Sequence, residues 1–454
     1  MSRSNYQTAP VATSRLPAGI PFIIANEAAE RFSFYGMRAV LVVFMTQYLL
    51  GADGMPDGMG EAEAKGWFHL FVSAVYFTPL LGALLSDGIL GKYRSIILLS
   101  LVYCLGHLAL AIDHTRMGLA IGLGLIAVGA GGIKPCVSAH VGDQFGRSNG
   151  FLLSRVFSWF YFSINLGAFV SMLATPWLMK SYGASLAFAV PGVLMLLATL
   201  VFWSGRYRFV HIPPAGLSFV RETFSANGLS TLGRLSLIYV FVAVFWALFD
   251  QTGSAWVLQA QHMDRYLFGM EVLPAQIQAA NPLFVMLLIP LFSYVVYPAI
   301  DRVWQLTELR KMAIGMFITV LAFAIPTWIQ LQIDQGGTPS IAWQLLAYVV
   351  LTSAEVMVAV TCLQFSYTQA PTTMKSFVMA FFMMSIAAGN LFTSAVNFFI
   401  RQEDGSSKLA GAEYYEFFTL LMLVTAALFM LVARFYKGAT YLHEEQPEVV
   451  PLRD

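Results

Sequence analysis

Four charged residues interrupt one apolar run: Glu27, Glu30, Arg31 and Arg38. At about 100° per residue all four fall on one stripe of a helix, together with Phe34 and Tyr35. A charge in hydrocarbon costs several kcal/mol, so such a stripe must face water or an internal partner. A structural pair between Glu30 and Arg31 would explain two of the charges and leave two unexplained. Other apolar runs carry Lys134 directly before Pro135, Asp250 directly before Gln251, and Glu355 within Ser353-Ala354-Glu355. His69 lies near the start of its run, where a purely interfacial placement would serve as well. Asp87 and Asp143 sit at run ends, which suits a gate or a positioning salt bridge as well as transport chemistry. Carboxylates whose proton affinity depends on burial and a nearby cation are what proton coupling requires, and this set supplies them.

The elements that must carry these residues are membrane helices. A span needs about 20 mostly apolar residues. Twelve such runs lie at 20–50, 64–88, 94–113, 117–141, 150–178, 184–205, 235–260, 274–300, 311–331, 341–370, 376–400 and 412–437. The expected organisation is an N-terminal six-helix bundle (1–205), a linker (206–234), a C-terminal six-helix bundle (235–438) and a tail (439–454). The linker, with Pro213-Pro214 and several arginines, has room for an interfacial helix and is too short for another hairpin across the membrane. Of the 26 lysines and arginines, 17 fall on the N-terminal side of the membrane and five on the other, which predicts cytoplasmic termini. The stretches Pro79–Arg94 and Pro290–Lys311 echo each other, each running through an Asp to a basic turn. Two repeated six-helix halves are the organisation of major facilitators. The glycines of Gly129-Ala130-Gly131-Gly132 read as a close-packing surface.

Composition excludes several classes. The chain has 454 residues, 58% hydrophobic and only 11% charged, with mean hydropathy +0.68. A soluble domain carries about a quarter charged residues. A net charge of +1 leaves no nucleic-acid footprint. Cys104, Cys136 and Cys362 lie far apart in apolar runs and make neither a disulfide framework nor a metal motif. No GxxxxGK[ST] loop occurs, and Gly122-Leu123-Gly124 lies inside a helix with no preceding strand, which argues against an ATP-driven pump and against a nucleotide enzyme. No nucleophile–base set is visible. The polar stretch from Met1 to Pro17 reads as a cytosolic tail rather than a signal peptide.

The string Glu27-Ala28-Ala29-Glu30-Arg31-Phe32-Ser33-Phe34-Tyr35-Gly36 resembles the ExxERFxYYG signature of the proton-dependent oligopeptide transporter family, with Phe34 where tyrosine is usual. Phe77-Thr78-Pro79 through Gly91-Lys92 is similar to the family's helix 2–3 motif, with Gly88 replacing a basic residue. Gly131 through Ala139 with Asp143-Gln144-Phe145 is similar to the helix 4 signature, and Phe160 through Gly167 resembles FYxxINxG. Phe245-Trp246 through Asp250-Gln251 and Ser353 through Ser376, with Ala370-Pro371 and Met374-Lys375-Ser376, extend the pattern. Cys136, and His69 seven residues before Tyr76, look closer to the animal members.

The resemblance implies an all-α integral membrane protein of the major facilitator fold, a proton-coupled symporter importing di- and tripeptides by alternating access, and no enzyme. Arg38 and Lys134 would hold the peptide carboxylate, and Glu355, with Asn165 and Asn281, its ammonium. Tyr35, Tyr76, Trp246 and Phe284 would line side-chain pockets. Glu27, Glu30 and Arg31 would link protonation to the inner gate, and His69 with Asp250 would serve the outer side. The expected partners are di- and tripeptides, protons and membrane lipid, with no cofactor beyond protons as coupling ion, no metal and no nucleic acid. The expected state is a monomer in the plasma membrane, or the inner membrane of a bacterium. A carrier of a nitrate-like anion or an amino-acid derivative on the same fold is the alternative, against which Glu27 and Glu30 count.

Overall fold

Twelve long helices account for almost all of the computed structural model, which describes residues 6–214, 216, 225–369, 375–402 and 406–436. The first half holds α1 (Ile20–Gln47), α2 (Glu61–Leu85), α3 (Lys92–Ile112), α4 (Arg116–Asp143), α5 (Leu153–Tyr182) and α6 (Ala184–Ser204). In the second half, α7 (Ala226–Phe249) runs through a tight turn at Asp250–Gly253 into a short segment, Ala255–Ala260. There follow α8 (Ala280–Leu291, entered through a turn at Pro274–Ala279), α9 (Glu308–Asp334), α10 (Ala342–Glu355, resuming at Thr361–Gln369), α11 (Lys375–Ile400) and α12 (Ala412–Phe435). Thr115, Ser225 and Thr307 start their helices by accepting hydrogen bonds from the amides of Gly118, Gly228 and Arg310. A hydroxyl there satisfies an amide that the helix itself leaves orphaned.

Eleven of these helices are long and apolar enough to cross a membrane, and α1 is the exception because of its four charges. The chain is therefore a multi-pass membrane protein, and each of the twelve expected runs coincides with a helix among the described residues. Most ends shift by a few residues, but α7 starts nine residues earlier than expected, so 226–234 belongs to it rather than to the linker. Two further details differ from the sequence reading. The seventh span is broken at Asp250, where the chain tightens to a 3-10 turn. A small hairpin, β1 (Tyr266–Leu267) with β2 (Met270–Glu271), lies in the α7–α8 connection. Its two-residue turn, Phe268-Gly269, has positive φ at both positions (51° and 79°), as hairpin twist demands. Of the linker, Arg206–Arg208 forms one turn and Val210 pairs with Gln7 of the N-terminal arm. The interfacial-helix expectation for the 206–234 linker falls largely on residues 217–224, which, like the motif residues Ala370, Pro371 and Met374, lie outside the described residues.

The buried apolar side chains fall into two large groups, one built almost wholly from α1–α6 and the other from α7–α12. Within the first, the glycine run does pack closely. A side chain on Gly131 would strike Thr78 and the Val75 carbonyl of α2, and one on Gly82 would strike the backbone of Gly132. This contact presses α4 onto α2 and sets the depth of Lys134. The repeat echo also has a structural counterpart. Both α2 and α8 end in a π-helical turn, at Ser86–Leu90 and Phe292–Val296.

Side-chain contacts between the halves gather near one face, that of the α1–α2 loop. Gln47 donates to Gln261, Ser394 to the Gly66 carbonyl and Ser73 to the Ala387 carbonyl. Gln278 donates to the Ala39 carbonyl, and Lys180 pairs with Glu271 at 2.9 Å. Glu63 bridges Arg116 of its own half and Arg401 of the other. Toward the opposite face, where both described ends lie, no hydrogen bond or ion pair joins α1–α6 to α7–α12 among the described residues. The polar contacts between the halves thus close one face of the molecule.

Candidate functional site

The stripe on α1 splits into two clusters. The Nε of Arg31 donates to Glu27 at 2.7 Å and lies 2.9 Å from Glu30, all three side chains being buried. Arg38, two turns further along, reaches across the halves and meets Asp250, just past the end of α7, at 2.5 Å. No local pattern could show that pair, since its members are 212 positions apart. Asp250 makes this contact as the first residue of the tight turn Asp250–Gly253.

Asp250 is the centre of a longer chain of bonds. Its second oxygen accepts from the Asn390 amide at 2.6 Å, and Asn390 Oδ1 lies 2.7 Å from His69 Nδ1. The Asn390 amide is committed to Asp250 and to the Ile386 carbonyl, so its oxygen faces His69 and Nδ1 carries hydrogen. His69 Nε2 lies 2.9 Å from the Ser254 hydroxyl. A hydroxyl donates to a neutral ring and accepts from a charged one, so His69 gains or loses a proton here without losing a bond. His69 and Asp250 are thus joined through Asn390. The sequence reading missed Asn390 and Ser254. A polar stripe on α11 (Ser385, Asn390, Thr393, Ser394, Asn397) carried the signal for the first.

Lys134 stands apart from any carboxylate. Its ammonium is buried with no hydrogen-bond partner and lies 4.5 Å from the Phe34 ring centre and 4.0 Å from that of Tyr76. Two aromatic faces attract the cation without satisfying its donors. Glu27, Glu30, Arg31 and Arg38 all lie within its electrostatic reach. Tyr35, edge-on to Phe34, lies in reach of Arg31, Arg38 and Glu355.

The second half presents the opposite charge. Glu355 accepts from the Asn281 amide at 2.7 Å, and the same amide lies 3.2 Å from the Thr352 hydroxyl. A π-helical turn at Val356–Val360 follows Glu355 directly. An extra residue in a helical turn re-aims the neighbouring side chains, and such turns concentrate at functional sites. Trp246 is buried with its ring N–H unpaired, edge-on to Phe249, and Phe284 is half-buried against the same core. Asn165 donates to the Tyr161 carbonyl of its own helix, so here it does not reach Glu355. The site is bipolar: cations on α1 and α4, a carboxylate on α10, and Tyr35 within reach of both. Among the described residues no group of His, Cys, Asp and Glu is arranged to hold a metal.

Comparison with known proteins gives one consistent result. The sequence profile of the POT family matches residues 93–235 and 226–414. Peptide transporter family 1 of Drosophila melanogaster is 37% identical over 71% of this chain and 48% of its own length. Solute carrier family 15 member 2 of Homo sapiens is 37% identical over 72% of this chain and 50% of its own length. The chain thus spans about half the length of the curated relatives it matches. The crystal structure of the POT family transporter PepTSo superposes with a TM-score of 0.85 at 37% identity, covering 93% of this chain and 99% of that one.

Proposed function

The chain belongs to the POT family, with its major facilitator fold, and from that premise we propose that it is a proton-coupled symporter importing di- and tripeptides by alternating access. The observation that carries the reading is the bipolar site. A dipeptide is a zwitterion, and it needs a cation and a carboxylate set apart by a cavity. Lys134 and Arg38 would take its C-terminal carboxylate, Lys134 being the readier because Arg38 is engaged by Asp250. Glu355, oriented by Asn281, would take the ammonium, with Asn165 joining once a ligand draws its amide away. Tyr35, Tyr76, Trp246 and Phe284 would wall the side-chain space, and aromatic surfaces with few fixed polar groups tolerate varied side chains. A carrier of a small anion would have no use for Glu355 facing the cations, nor for Glu27 and Glu30 beside them.

The proton would be handled at two places. Glu27, Glu30 and Arg31 form the inner one, and the His69–Asn390–Asp250–Arg38 chain the outer one. The face of the α1–α2 loop is then the outer face, consistent with the distribution of lysine and arginine, and the described conformation opens inward. Both termini would lie in the cytoplasm and the carrier would work as a monomer in the cell membrane, with protons as its coupling ion and no cofactor. The direct test is uptake of a labelled dipeptide into proteoliposomes under an imposed pH gradient. Accumulation of intact peptide against its concentration supports the symporter. Equilibration without accumulation, or a chemically altered peptide, rejects it.

A first prediction arises from the outer chain. His69→Gln is expected to flatten the pH dependence of uptake, and Asn390→Leu to do the same with His69 still in place. Asp250→Asn is expected to slow coupled uptake more than peptide exchange. A stable His69→Gln protein with an unchanged pH profile would leave His69 as a packing residue only.

A further inference from the structure

At the outer end of α2, one turn into the helix, a lysine is buried without an ion-pair partner. Lys65 is only 7% exposed, and its ammonium rests 3.7 Å from the ring centre of Tyr414 on α12. Among the described residues it makes no hydrogen bond and no ion pair. Glu61, one turn before it, is too far to pair, and Glu63 on the other side of the helix is taken by Arg116 and Arg401. The lysine belongs to the first half and its aromatic platform to the second.

Lys65 lines a cavity of about 410 Å³ between the halves. Its other walls come from the segment that follows α7 (Leu258, His262), the end of α9 (Gln330) and Tyr415 of α12. That volume falls within the roughly 300–1,000 Å³ of small-molecule pockets. Most neighbouring polar groups are spent. Gln259 bonds Pro326, Gln330 and Gln344, the Gln330 amide donates to Asp334, and the Tyr414 hydroxyl accepts from Asn397. The Lys65 donors are the ones left over. The charged or titratable side chains facing the cavity are Lys65, Glu61, His262, Tyr414 and Tyr415, with Glu61 and His262 exposed at its rim. Glu61 disfavours a dianion and leaves a single carboxylate as the best match to Lys65.

We infer that this cavity is a second binding site, outside the transport path, for a small organic monocarboxylate with an apolar body. The carboxylate pairs with Lys65, and the body lies against Leu258 and Tyr415. Because the lysine and most of the walls belong to opposite halves, the site exists only while the outer face is closed. A ligand held there favours that state by mass action and slows the return to the outward-open form. Such an acid is therefore a non-competitive inhibitor of uptake.

The probe is 3-phenylpropionate, which lacks the ammonium that Glu355 would read. Calorimetry on the purified full chain, with a dipeptide saturating the central site, measures its binding directly. The expected result is that the acid still binds, that phenylsuccinate binds at least tenfold more weakly, and that Lys65→Met weakens the monoacid at least tenfold. In proteoliposomes the acid is expected to lower the maximal uptake rate with KM unchanged. Should Lys65→Met fail to fold, the wild-type measurement decides alone. Loss of acid binding when the dipeptide is present, or equal binding by Lys65→Met, overturns the inference. If the chain binds no dipeptide, the peptide reading fails, and the Lys65 comparison still judges this site.

Discussion

Glu30→Gln is expected to abolish accumulation of peptide under a proton gradient while sparing exchange at equal pH. The reason lies in the pairing of Arg31. One guanidinium serves two buried carboxylates, Glu27 at 2.7 Å and Glu30 at 2.9 Å. Neither oxygen of Glu30 has a well-directed hydrogen bond, whereas Glu27 is bonded to the guanidinium Nε. With two acids on one cation, the less well held acid is the one to take up a proton, and Glu30 is that acid. Glutamine preserves its shape and removes the titration. For one proton carried per peptide, a one-unit pH gradient supports about tenfold accumulation. The variant is expected to reach only equal concentrations on the two sides, and counterflow should continue because exchange moves no net proton. Accumulation by Glu30→Gln to the wild-type level would remove it from the coupling path and leave the outer chain as the candidate.

Glu355→Ala is expected to lower peptide affinity by about 10–100-fold, the value of a lost hydrogen bond to a charged group at roughly 1.5–3 kcal/mol. Asn281 would lose its acceptor as well. A stronger test uses the ligand. Acetylating the dipeptide removes the positive end, so on the wild-type protein the acetylated form should compete about as poorly as the native peptide does on Glu355→Ala. The two losses should not add, because either one removes the same contact. A full acetylation penalty on the alanine variant would mean that another group reads the ammonium.

The helices were legible because hydrocarbon demands long apolar runs, and α1 was legible in spite of its charges because they share one side. The family motifs then supplied most of the candidate residues. What the sequence hid has one physical character: it is made across the bundle. Arg38 and Asp250 carry no local sign of each other, and Asn390 looks like one more polar residue on α11 until it is seen between His69 and Asp250. The broken end of α7 was hidden too, since Asp250-Gln251-Thr252-Gly253 sits inside a continuous apolar stretch. The hairpin at Tyr266–Glu271 is too short for its alternation to stand out. Lys65 carries no local sign of its burial, because the ring that covers it belongs to Tyr414, 349 positions away.

The hairpin has a practical use. Glu271 ties it to Lys180 of the other half at the closed face, and its tip, Phe268, stands 93% exposed beside that seam. An antibody fragment whose footprint spans Phe268 and the end of α5 would find its epitope whole in one conformation and divided in the other. Selected on the closed form, such a fragment would be both a reporter of the conformation and a clamp upon it.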